Sequence, residues 1–151
     1  MTTEIPLPDE AATQAFAARL APHLNAGHFI ALEGGLGVGK TTFARALISA
    51  MAGAAVTVPS PTFTLVQTYD GPGFPIFHFD LYRLNDPGEL DELGWEETVE
   101  GLCLVEWPAR AGPRLPRWRM VIALDFIPGG RTAKLEWRGE HWQSVMDAVT
   151  A

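Results

Sequence analysis

Along residues 9–21 the apolar side chains Ala12, Ala15, Phe16 and Leu20 form one stripe at helical spacing. Asp9 is placed to cap the first turn, and Arg19 lies at the stripe's edge. Pro22 ends that helix, and Asn25-Ala26-Gly27 turns the chain. Residues 28–33 are then a nearly continuous apolar run, the pattern of a buried strand. After a glycine-rich interruption, apolar residues return at 43, 44, 47, 48 and 51, again a helix, stopping near Gly53. Two prolines stiffen 56–62 and exclude helix there. Residues 63–69 and 75–83 read as strands joined by the turn Asp70-Gly71-Pro72-Gly73, a hairpin. A short acidic helix is predicted over 86–94, with Pro87 near its start, and a buried strand over 102–106. A basic, proline-rich loop follows at 111–117. A second hairpin is predicted from 120–126 and 131–137 around Pro128-Gly129-Gly130, then a closing helix over 140–149.

The interruption after the first strand carries the chemistry. Gly34-Gly35-Leu36-Gly37-Val38-Gly39-Lys40-Thr41 fits the phosphate-loop pattern G-x-x-x-x-G-K-[ST] at every fixed position. It lies between a predicted strand and a predicted helix, the context that pattern needs. Its glycines let the backbone turn successive N–H groups toward a phosphate, and the helix N-terminus behind adds partial positive charge. Lys40 then reaches the outer phosphates, and Thr41 offers its hydroxyl to Mg2+. The expected fold is α/β: a P-loop NTPase with a central mixed sheet flanked by helices, one domain over 1–151.

Bulk properties narrow the reading. Hydrophobic residues are 47% of the 151, the globular norm. No apolar run is long enough to span a membrane, and the first residues lack the basic-then-apolar pattern of a signal peptide. A single cysteine, Cys103, sits in the apolar run 102–105 and reads as inert core. These features predict a cytoplasmic protein without a membrane partner. Eleven basic against eighteen acidic side chains give a net charge of −7, a poor balance for holding nucleic acid unaided.

A phosphate loop works with an acid at the end of a neighbouring strand. Two runs qualify: Ile76-Phe77-His78-Phe79-Asp80 and Leu102-Cys103-Leu104-Val105-Glu106. Alternation places Ile76, His78, Asp80 and Tyr82 on one face, unusually polar for a central strand, and Phe77, Phe79 and Leu81 on a core face. Asp80 and Glu106 are the candidate metal-holding acids, against the plainer readings of a turn cap and a solvated strand end. His78 reads equally as a hydrogen-bonded structural histidine or a catalytic one. Ser60 and Thr62 either orient water or phosphate, or only form turns. Trp107 either packs near a nucleotide or fills core; Trp95, Trp118, Trp137 and Trp142 read as core or surface. Arg131, after two glycines, either reaches a phosphate or is a surface arginine. His23, His28 and His141 have no acid or cysteine at ligand spacing.

Four stretches occur together in order: 37–42, Ser60-Pro61-Thr62-Phe63-Thr64-Leu65, His78-Phe79-Asp80-Leu81-Tyr82-Arg83-Leu84 and Leu104-Val105-Glu106-Trp107-Pro108. Over roughly residues 5–131 the chain resembles the bacterial TsaE (YjeE) family, ATPases used in making threonylcarbamoyladenosine on tRNA. The resemblance implies ATP on the loop (Gly34, Gly37, Val38, Gly39, Lys40, Thr41, Thr42), and Mg2+ near Thr41, Glu106 and Asp80. It implies Lys40, Asp80 and Glu106 as the catalytic set. Trp107 matches the tryptophan after the family's acid, and the matches around Glu10 and at Arg131 border the nucleotide. It implies action with the TsaD transferase and its companion TsaB; with the net charge of −7, tRNA is expected to be reached only through that complex. One departure is Gly35, where the family usually carries an acid. Two other readings of a phosphate loop fit less well. A small-molecule kinase needs an arginine-bearing lid, and the arginine-dense loop is confined to 110–119. A guanine-nucleotide switch needs an N-K-x-D-like run, which is absent.

Overall fold

Each strand expected from the apolar runs joins one sheet. The computed structural model describes residues 1–53, 58 and 64–150, so Ser60, Thr62 and most of the stiff connection at 56–62 lie outside the described residues. The strands are Thr2–Leu7 (β1), Phe29–Glu33 (β2), Val66–Asp70 (β3), Pro75–Asp80 (β4), Leu102–Glu106 (β5), Met120–Ile127 (β6) and Gly130–Glu136 (β7). Their order is β1-β7-β6-β2-β5-β4-β3. The strands β6, β2, β5 and β4 run parallel; β7 pairs antiparallel with β6 and with the edge strand β1, and β3 pairs antiparallel with β4 at the other edge. This is the mixed sheet flanked by helices that the sequence predicts.

Three α-helices, Glu10–Leu20 (α1), Lys40–Ala52 (α2) and Glu140–Thr150 (α3), share one core with one sheet face. The Asp9 carboxylate caps α1 by accepting from the Ala12 N–H at 2.8 Å. Phe43, Ala44, Leu47, Ile48 and Met51 of α2 are buried, the stripe read from the sequence. Alternation along the strands splits the core: Ile30, Leu32, Ile76, Leu102 and Leu104 face the helices. Phe29, Ala31, Phe79, Cys103 and Val105 face a second cluster built on Leu81, Leu84, Leu90, Trp95 and Ala111. Phe29 and Phe79 meet Trp95 edge-on, with ring centroids 5.6 and 5.1 Å apart. Cys103 is buried there, and burial pushes its thiol pKa well up, so it is inert core as expected. Trp95, Trp137 and Trp142 are core, whereas Trp118 is exposed.

Four differences from the sequence reading have local causes. The edge strand β1 has the period-two pattern, with Ile5 and Leu7 inward, but Pro6 argues against a strand; an edge position tolerates it. The acidic helix is a 3₁₀ segment, Pro87–Leu93, capped by Asp86, and a further one spans Trp95–Glu100. The expected loop at 111–117 begins inside another 3₁₀ segment, Pro108–Arg114. β4 stops at Asp80, so Tyr82 lies beyond the alternation, exposed. Among the described residues no helix is long and apolar enough to cross a membrane.

His28 gives the fold a pH dependence. Its Nδ1 accepts from the Asn25 N–H at 2.9 Å, and its ring packs on Trp142 and stacks on His141. Burial first, and His141 second, lower its pKa from 6.5 to about 4. The unfolded chain therefore takes up this proton before the folded one does. The stabilisation is complete above pH 6.5 and is lost as pH falls toward 4, by about 3 kcal/mol in all. In urea titrations at pH 7 and pH 4, the stability difference between the parent and His28→Gln should shift against the parent by about that amount. A difference independent of pH would contradict the assignment.

Candidate functional site

Parallel strands bring their carboxyl ends to one edge of the sheet, where ligands bind in open α/β folds. β2 ends at Glu33 and leads into the glycine-rich loop, and α2 begins at Lys40. On β5, Glu106 is the register partner of Leu32 on one side and of Asp80 on the other. The two acids thus end adjacent strands beside the loop.

The loop's path depends on glycine. Gly34 has φ +142°, and a Cβ there would lie 2.7 Å from the Leu124 carbonyl oxygen. Gly39 has φ +111° and hands the chain to α2. Lys40 is buried, and its Nζ donates to the Gly34 and Gly35 carbonyls. The same Nζ lies 3.8 Å from the centre of the Trp107 ring. Burial lowers the lysine's pKa, while Glu106 and Asp80 pull it back up. Trp107 has φ +57° and ψ +52°, a left-handed conformation that is an outlier for a bulky side chain. That backbone accompanies a ring set over the lysine, and Tyr82 packs on it at 4.9 Å between centroids.

Thr41 Oγ1 lies 2.9 and 3.0 Å from the two oxygens of Glu106. His78 Nε2 is 2.7 Å from Glu106 Oε2, with both groups buried. His78 is thus hydrogen-bonded into the site. Asp80 is also buried, and its Oδ1 accepts from the Tyr82 N–H at 3.0 Å. The turn-cap geometry is therefore present at Asp80 together with its place at the cavity wall.

A cavity of about 250 Å³ brings together Gly37, Gly39, Lys40, Thr41, Thr42, Asp80, Glu106, Trp107 and Arg131 of the expected residues. Gly34 and Val38 are not among its walls: the Val38 side chain is core, and Gly34 acts through its carbonyl. Gly35 and Leu36 line the cavity although neither was singled out as a contact, since the pattern leaves those positions open. Arg131 on β7 reaches over Gly39, and its buried Nε has no hydrogen-bond partner among the described residues. A larger hollow of about 790 Å³ along α1 and α2 shares Thr42 and includes Glu10. The convergence of hydroxyl, acids and lysine, rather than size, marks the smaller one as the candidate site.

The residues fit an anion and a hard cation side by side. Lys40 and the orphaned Arg131 Nε suit phosphate oxygens. Thr41, Glu106 and Asp80 supply oxygen donors of the kind Mg2+ prefers. Among the described residues no three His, Cys, Asp or Glu side chains group as a metal cage. That also suits Mg2+, which is usually held by one or two carboxylates together with substrate phosphates.

Comparison with known proteins shows the family. The model of the family described as "Threonylcarbamoyl adenosine biosynthesis protein TsaE" matches residues 7–132, from the end of β1 through Thr132 on β7. This chain belongs to the TsaE family. The TsaE protein of Rickettsia bellii, described as a tRNA threonylcarbamoyladenosine biosynthesis protein, is 47% identical over 102 residues, 67% of this chain and 71% of the relative. The Haemophilus influenzae TsaE is 35% identical over 136 residues, 85% of each chain. A crystal structure of Bacillus subtilis YdiB superposes with a TM-score of 0.79 at 26% identity, covering 99% of this chain and 93% of that one. Membership of TsaE places the protein in threonylcarbamoyladenosine biosynthesis on tRNA. Gly35 is exposed, and its backbone contributes a carbonyl to Lys40.

Proposed function

We propose that this chain is a Mg2+-dependent ATP hydrolase of the machinery that forms N6-threonylcarbamoyladenosine on tRNA. It works in complex with TsaD and TsaB and does not itself transfer the threonylcarbamoyl group. The observation that carries the reading is the Thr41 hydroxyl seated on the Glu106 carboxylate, beside Lys40 at the floor of the phosphate loop. Lys40 is the point charge for the outer phosphates, and Arg131 offers a second cation from β7. Thr41, Glu106 and Asp80 hold Mg2+, which when bound offsets charge on the transferred phosphoryl group. The adjoining hollow with Glu10 leaves room for the rest of the nucleotide. Calorimetric titration with ATP should show saturable binding that is tighter with Mg2+ than with EDTA. No heat of binding at millimolar ATP would overturn the reading.

The proposal that tRNA is reached only through the partners is supported by where the arginines of 110–119 are used. Arg114 pairs with Asp91 at 2.6 Å, Arg110 donates to the Leu84 carbonyl, and Arg119 donates to the Pro116 carbonyl. Three of four cations in that loop thus hold the chain's own segments, on a protein of net charge −7. A titration of the purified chain with tRNA at physiological salt, with ATP and Mg2+, should show no submicromolar binding. Submicromolar binding that weakens when these arginines are neutralised would make the loop an RNA contact.

A further inference from the structure

Position 78 is the middle of a strand covered on both faces, where parallel-sheet strands are normally apolar throughout. Its neighbours on the helix-facing side are Ile76, fully buried, and Asp80 at the cavity. His78 is itself fully buried, and its Nδ1 has no hydrogen-bond partner among the described residues. An imidazole with half of its hydrogen-bonding capacity unmet in the core costs stability relative to an apolar side chain. Packing therefore does not account for histidine here. What the ring does have is one short bond, from Nε2 to Glu106 Oε2 at 2.7 Å.

That bond acts on a carboxylate which would otherwise be loosely oriented. The torsion at the end of a glutamate side chain is broad and two-fold. Thr41 has a single hydroxyl proton and lies almost equally far from both Glu106 oxygens, so by itself it does not distinguish them. His78 removes that symmetry, because its Nε2 reaches only Oε2. Oε1 is left with the threonine hydroxyl at the cavity wall. Groups that orient a metal-binding carboxylate from behind change metal affinity or activity by about 10–100-fold when removed.

We propose that His78 is a positioning residue, which fixes the Glu106 carboxylate against the Thr41 hydroxyl and so sets how well the site holds Mg2+ beside a nucleotide. This rests on the reading of the cavity as a Mg2+–nucleotide site. Because a carboxylate only accepts, the ring must carry its proton on Nε2. His78→Leu removes the donor while keeping an apolar side chain in the core. His78→Gln keeps an N–H at comparable reach.

The test has two arms on the full chain. Calorimetric titration with ADP compares EDTA with Mg2+. His78→Leu should bind ADP in EDTA within about twofold of the parent, yet lose about tenfold or more of the gain that Mg2+ confers. His78→Gln should recover most of that gain. An undiminished Mg2+ gain in a folded His78→Leu, or equal losses in both variants, would overturn the proposal. Absence of ADP binding by the parent would instead overturn the nucleotide reading. Long-range 1H–15N spectra of the labelled parent, without nucleotide or metal, form the second arm and need no variant to fold. They should show His78 with its proton on Nε2. A ring protonated on Nδ1 alone would overturn the proposal whatever the titrations show.

Discussion

Replacing Lys40 by alanine should lower ATP affinity by about 100-fold or more while the chain still folds. A charge-assisted contact to the outer phosphates, lost from a buried site, is worth roughly 3 kcal/mol, and each 1.4 kcal/mol is a factor of ten. The fold should survive because the side chain's partners are the Gly34 and Gly35 carbonyls, at a loop whose mouth is open enough for water to replace the amine. Trp107 would lose the cation beneath its ring, so a change in tryptophan fluorescence should accompany the substitution. Calorimetry gives the affinity and circular dichroism the fold. Unchanged affinity in a folded variant would show that the phosphates bind elsewhere.

The second large effect is expected at the acids. Glu106→Ala should slow Mg2+-dependent hydrolysis by about 100-fold or more and weaken nucleotide binding far less, since a metal ligand acts chiefly on charge that develops in the transition state. It also leaves the Thr41 hydroxyl and the His78 Nε2 without their common acceptor, at a cost of about 1–3 kcal/mol in stability. Glu106→Gln keeps the shape and separates the two consequences. Asp80→Ala should likewise reduce hydrolysis more than binding, and its lost bond to the Tyr82 N–H should loosen the turn after β4. Steady-state hydrolysis with the partners present, set beside calorimetric affinities, checks both. Either variant turning over at the parental rate would remove that residue from the mechanism.

How far such effects could be foreseen depends on the range of the signal. The phosphate loop is contiguous, and its glycines, lysine and threonine each have a local reason, so it is legible letter by letter. The acids are legible at one remove: each ends an apolar run, and parallel strands that start from one edge finish at the other. The bond from His78 to Glu106 joins residues 28 apart on strands that only the fold makes neighbours. Alternation along β4 put His78 on the face of Asp80 but could not name its partner. Trp107 is harder still, because its left-handed backbone is a cost that local sequence gives no reason to accept. Edge strand β1 escaped because Pro6 outweighs the alternation around it. The 3₁₀ segments Trp95–Glu100 and Pro108–Arg114 escaped because pieces of six or seven residues present no apolar stripe. The orphaned Nε of Arg131 is a property of the packed structure alone.

The most direct test of the account measures phosphate release from ATP by this chain alone, with TsaD and TsaB together, and with the same partners after Glu106→Ala. The expected result is Mg2+-dependent hydrolysis that rises when both partners are added and falls by about 100-fold or more in the variant. Hydrolysis by the parent complex that is independent of Mg2+, or undiminished by loss of Glu106, would contradict it.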